Sequence, residues 1–117
     1  MDLYTETILD HYQHPHHAGA LTDATDSIVE HNPLCGDVIK LDLKIQSDII
    51  KEIGFVGNGC AISQAAMSML ADYSEGKKTA ALKKLKPTII YKLLGVTVNP
   101  GRVKCALLGF GALQKLI

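Results

Sequence analysis

The chain has 117 residues, of which 47% are hydrophobic and 21% charged, with 12 basic residues balancing 12 acidic ones. That length fits a single domain over residues 1–117 with a packed core, and the neutral balance argues against a nucleic-acid partner, whose phosphates demand a positive surface. No apolar run reaches the length of a membrane span, and the opening MDLYTETILDHY resembles neither a secretion signal nor an arginine-rich transit peptide, so a cytoplasmic protein of bacterial type is expected.

Leu3, Tyr4, Ile8, Leu9 and Tyr12 recur at helical spacing and predict an amphipathic helix over 2–13. Pro15 and Gly19 in HPHHAGAL end it in a loop. His14, His16 and His17 cluster around Pro15 in a tract of the kind that binds metal weakly; we read it as a solvated loop. In VIKLDLKIQ, Ile39, Leu41, Leu43 and Ile45 alternate with Lys40, Asp42, Lys44 and Gln46, which predicts a strand with one buried and one wet face. Ser47 and Asp48 signal a turn into a second strand, IIKEIGFV, and SIVEH ahead of them supplies a third. Strands joined this closely pair antiparallel.

After Gly59 the pattern turns helical. AISQAAMSMLADYSEG predicts a helix stopped by Gly76, with Met67 and Met69 as packing residues. KTAALKKL and PTIIYKLLG predict two short helices, the second opened by Pro87 and closed by Gly95. A last helix begins at Asn99 and Pro100 and runs to the end, weakened in its middle by Gly109 and Gly111. The expected class is α+β: a small three-stranded antiparallel sheet with helices packed on one face.

The three cysteines are an odd number for a disulfide framework, with 24 and then 44 residues between neighbours. Three thiolates and one further ligand make tetrahedral zinc, yet no CxxC pair is present, and three buried bystanders are the plainer reading of the count. Their placement says more, because each falls at the end of a predicted element, where functional residues gather. Cys35 stands in NPLCGD before the alternating strand, with Gly36 letting it and Asp37 turn toward one point. Cys60, in GNGCAIS, lies at a helix N-terminus that favours a thiolate, with Gly57 and Gly59 permitting a sharp swing of the backbone. Cys105 follows Arg102 by three residues, which puts that fixed charge on the same side of the last helix. Taken singly, each of these residues has an ordinary structural reading: a tight turn at the glycines, a strand cap at Asp37, a surface charge at Arg102.

NPLCGD, GNGCAIS and RVKCALL together resemble the three cysteine motifs of the iron–sulfur assembly scaffolds of the IscU, SufU and NifU N-terminal type, and ILDHYQHPHHAG resembles their N-terminal segment. The likeness spans essentially the whole chain. It implies an IscU-like (SufE/IscU-like) fold with Cys35, Cys60 and Cys105 converging beside Asp37 as ligands of zinc, of iron or of a transient [2Fe–2S] cluster. It also implies a cysteine desulfurase (SufS- or IscS-like) as sulfur donor and iron–sulfur acceptor proteins as recipients. By the same likeness Cys35 accepts sulfur in the zinc-bound mode, Cys105 accepts it in the scaffold mode, and Arg102 stabilises nearby anions. Such a protein is a scaffold or sulfur carrier more than an enzyme, though it can act like a sulfurtransferase.

Signals for the two branches are mixed. Lys104 stands where the IscU branch has a histidine ligand, and Arg102 with Lys104 resembles the SufU branch, whereas the 44-residue spacing resembles IscU. VNPGRVK is not the proline-rich chaperone motif of the IscU branch, which speaks against a dedicated chaperone. Two other readings stay open: a thiol-dependent hydrolase or transferase with Cys35 as nucleophile and His31 as base, and a structural zinc domain.

Overall fold

Residues 38–46 form the central strand of the fold. The computed structural model describes residues 3–33, 36–96 and 98–117. Helix α1 (Leu3–Gln13) leads to strands β1 (Asp26–His31), β2 (Val38–Gln46) and β3 (Ile49–Asn58), which pair antiparallel in the order β1-β2-β3. Helices α2 (Ala61–Ser74), α3 (Thr79–Lys83) and α4 (Thr88–Leu94) follow. A 3-10 turn (Pro100–Arg102) then leads into α5 (Val103–Ala106) and α6 (Leu108–Leu116). Among the described residues no helix is long and apolar enough to cross a membrane.

Alternation sets the sheet. Ile39, Leu41 and Leu43 are fully buried against the helices, each worth about 1.5–3 kcal/mol of transfer free energy. The β2–β3 turn has two residues, Ser47 and Asp48, both with positive φ, as a type I′ hairpin requires. α2 packs on β3 and against α1, α4 and α6, while α6 covers β1 and β2, so the helices share one face of the sheet. α2 therefore lies at the centre of the core, and Met67 and Met69 are both buried in it as packing residues.

Two expectations need correction. Asp42 is buried on the face expected to be wet, because the segment before β1 and the start of β1 both bond to it: Asp42 accepts from Leu21 N–H at 3.1 Å and Ser27 Oγ–H at 2.6 Å. The final helix is not continuous either. Asn99 caps the 3-10 turn by accepting from Gly101 N–H at 2.8 Å, and the helical stretch then breaks at Leu107 rather than at the glycines. Leu107 N–H still bonds Val103 O, and Leu107 O accepts from Gly111 N–H, so the path bends without losing its hydrogen bonds. Gly109 serves packing: a Cβ there would stand 2.5 Å from Met67 Sδ.

Candidate metal centre

Strand register builds the first half of the site. Val38 pairs with Asn58, so one step outward Asp37 and Gly59 come level at the end of the β2–β3 ladder. A Cβ on Gly59 would lie 2.6 Å from Asp37 Cγ and 2.8 Å from Ser63 Oγ, so only glycine leaves room for the carboxylate. Gly57 works the same way toward the Gln64 side chain, which a Cβ would meet at 2.7 Å. Neither glycine has a positive φ, so both are needed for close approach rather than for the unusual backbone that their motif suggests. Gly36 does adopt a positive φ, 76°, at the turn into Asp37.

Chain reversal after Gly59 places Cys60 at the N-cap of α2, in extended conformation. Ser63 Oγ–H donates to Cys60 O at 3.0 Å and stands 3.9 Å from Cys60 Sγ. Gln64, with its amide oxygen turned to the backbone, accepts from Asn58 N–H at 3.1 Å and Gly59 N–H at 3.3 Å, which fixes the turn. The second half comes from the C-terminal segment, where α5 buries Cys105 at 4% exposure.

Asp37, Cys60 and Cys105 meet: one donor atom from each lies within 4.8 Å of the others. Asp37 and Cys105 are buried and Cys60 is half-buried. Soft sulfur beside hard oxygen in such a space suits a tetrahedral zinc ion or an iron site, whose ligand atoms stand about 3.5 Å apart. Cys35 lies outside the described residues. The segment flanking it is pinned by Asn32 N–H to Asp37 O and Gly36 N–H to Asn32 O, each 2.8 Å.

Arg102 belongs to the 3-10 turn rather than to the helix of Cys105 and is exposed. Lys104 is exposed as well, and it lines a cleft of about 320 Å³ with Glu30, Asn32 and Lys115. His31, the base required by a hydrolase reading, is an exposed residue at the end of β1.

Sequence reasoning passed over three supporting residues. Buried Asn32 donates from Nδ2 to Cys105 Sγ at 3.8 Å, a contact that stabilises sulfur in its anionic form. Ser63 and Gln64 are the other two. Asn32 and Ser63 stand inside the motifs already singled out and Gln64 directly follows one; the pattern of a buried polar residue three or four positions after a helix cap is the signal that could have found the latter pair.

The chain resembles proteins of named activity. It is 37% identical over 134 aligned positions to the iron-sulfur cluster assembly scaffold protein IscU of Streptococcus pyogenes, covering 98% of this chain and 82% of that one. It is also 37% identical over 131 positions to the zinc-dependent sulfurtransferase SufU of Bacillus subtilis, covering 97% and 88%. Both alignments exceed the length of this chain, so both relatives carry insertions that it lacks. The crystal structure of a putative iron-sulfur cluster assembly scaffold protein for the SUF system from Fervidobacterium islandicum superposes with a TM-score of 0.83 at 25% identity, covering 99% of this chain and 95% of that one. Residues 3–117 match the NifU-like N-terminal domain, and the chain belongs to that family.

Proposed function

We propose that this protein is an iron–sulfur cluster assembly scaffold, holding iron and desulfurase-derived sulfur as cargo before passing them to acceptor proteins. The observation that carries the reading is the meeting of Cys60, Cys105 and Asp37, from three distant parts of the chain, within 4.8 Å. The IscU and SufU names of its relatives support the same reading. Cys35 completes the ligand set in this proposal. Thiolates hold iron firmly and the carboxylate oxygen holds it less firmly, so the mixed set suits temporary storage better than permanent electron transfer.

Sulfur arrives as a persulfide on the desulfurase. A thiolate of this chain attacks the terminal sulfur, a new S–S bond forms, the donor's S–S bond breaks, and the donor cysteine leaves as thiolate. Cys105 is the acceptor in the scaffold mode. Cys105 is buried with Asn32 against its sulfur, so that contact must open before a partner reaches it. Arg102 and Lys104, both exposed nearby in sequence, favour the anionic sulfur species.

Lys104, at the position where IscU proteins are expected to carry a histidine ligand, favours a second reading. In that reading the thiols and Asp37 hold zinc, and Cys35 leaves the metal to take up the persulfide. Metal analysis and a visible spectrum of freshly purified protein, followed by anaerobic incubation with iron, cysteine and a desulfurase, separate the two. The scaffold reading expects sulfide-to-iron absorption and a cluster transferable to an apo-acceptor. The carrier reading expects colourless protein with one zinc per chain and a mass gain of one sulfur atom. Neither cluster nor persulfide under these conditions overturns both.

A further inference from the structure

Four of the five histidines fall between residues 11 and 17, and the loop that carries three of them is folded down onto α2. His11 comes from the last turn of α1, His16 from the loop, and Asp72 from the C-terminal part of α2. One donor atom from each lies within 4.8 Å of the other two. The loop is therefore not merely solvated, as its composition suggests.

We propose that His11, His16 and Asp72 form a second metal site, for a divalent ion of the zinc class, which ties α1 and its loop to α2. Two imidazoles and a carboxylate from three separate segments are a ligand set that zinc takes with water in the fourth position. Imidazole also serves cobalt, nickel and copper, so the site selects a borderline ion and not magnesium or calcium.

The surrounding contacts have the form of a supported ligand set. His16 Nδ1 is hydrogen-bonded to Asp72 Oδ2, which brings two of the three donor atoms face to face. The other oxygen of Asp72 is held by His17 Nε2 at 2.9 Å, and His17 Nδ1 stands 3.5 Å from Glu75. His11 Nδ1 lies 2.7 Å from Ser68 Oγ, and that oxygen also accepts from His16 N–H at 2.8 Å. When Ser68 accepts from Nδ1–H, the other nitrogen of His11 presents a lone pair, as in metal-bound histidines anchored through their second nitrogen. The two rings stand 4.5 Å apart at 46°, close enough to share one ion. His11 and Asp72 also line an open cleft with Met69, Tyr73 and Leu93, which gives an ion a path from solvent.

Binding replaces the hydrogen bond between His16 and Asp72 with bonds to the ion, and the proton of that hydrogen bond goes to solvent. The site stands apart from the thiols: Asp72 is twelve residues beyond Cys60 on α2, about 18 Å along the axis. Its loading is therefore independent of the cysteine cluster.

The test uses the full chain, stripped with chelator and titrated with Zn2+ against a chromophoric competitor, then with Co2+ to read the ligand type. The expected result is one equivalent whose cobalt spectrum shows d–d bands without sulfur-to-metal charge transfer, whether or not the thiols bind a further ion. His16→Gln and Asp72→Asn, both at exposed positions, should each weaken that equivalent at least about a hundredfold, since losing even a supporting partner costs about 10–100-fold. Circular dichroism of both variants should match the wild type. Absence of any sulfur-free equivalent in the wild type, or its survival in either variant, overturns the proposal.

Discussion

Gly59 and Asp37 occupy the same space: the Cβ that any other residue would carry at 59 falls 2.7 Å from Asp37 Oδ1. The carboxylate reaches the two thiols because its neighbour across the ladder has no side chain.

Gly59→Ala should therefore push Asp37 out of the cluster. Overpacking against buried Asp37 costs about 1–3 kcal/mol, and the metal or cluster should be held more weakly as well. Denaturant melting and metal content measured on the same preparation check both effects. Wild-type stability with wild-type loading would show that the carboxylate has another place to go.

Two glycines of α6 should respond in opposite directions. Gly109 faces Met67 Sδ at 2.5 Å from its virtual Cβ, so Gly109→Ala should destabilise by about 1–3 kcal/mol. Gly111 meets nothing closer than Glu30 Oε2 at 3.9 Å, so Gly111→Ala should stabilise by about 0.5–1 kcal/mol through helix propensity alone. Thermal melts of the two variants, run side by side, test the contrast.

Asp37→Cys replaces the proposed hard ligand with a soft one. On the scaffold reading the cluster should then outlast that of the wild type, with slower transfer to an apo-acceptor, followed through the decay of its visible absorption. A cluster of unchanged lifetime would remove Asp37 from the ligand set.

Acid should loosen α1 in metal-free protein. Burial, and next the charge of His16, lower the His11 pKa below its ordinary value, partly offset by Asp72 and Asp10. The unfolded chain then binds more protons than the folded one between the lowered value and about 6.5, so stability rises with pH across that window. The contribution is intact above about 6.5 and fades as pH falls through it. Melting temperature between pH 7.5 and 5 should fall less steeply in His11→Gln than in the wild type.

Much of this was legible in the sequence because it rests on local pattern. β2 coincides with the alternating run 38–46, the hairpin with Ser47 and Asp48, and the end of α4 with Gly95, which has a φ of 73°. Cys60 stands at the helix start expected of it. What was hidden depends on segments distant in sequence. The burial of Asp42 comes from Leu21 and Ser27, which no period-two pattern reveals. The break at Leu107 contradicts the glycine rule because Gly109 is chosen by Met67, forty-two residues earlier, and not by the helix. The histidine loop looked solvated because Ser68 and Asp72, which hold it, lie on another element.

Under the proposed function, the short α5 has a consequence for how cargo leaves. Four residues wedged between a 3-10 turn and a bend form too brief a helix to persist unaided, so neighbours alone keep Cys105 in position. A recipient need not pull iron away from every sulfur against the whole protein. Lifting that single turn would take one anchor out of the grip, and the rest of the architecture could stay standing while the load departs.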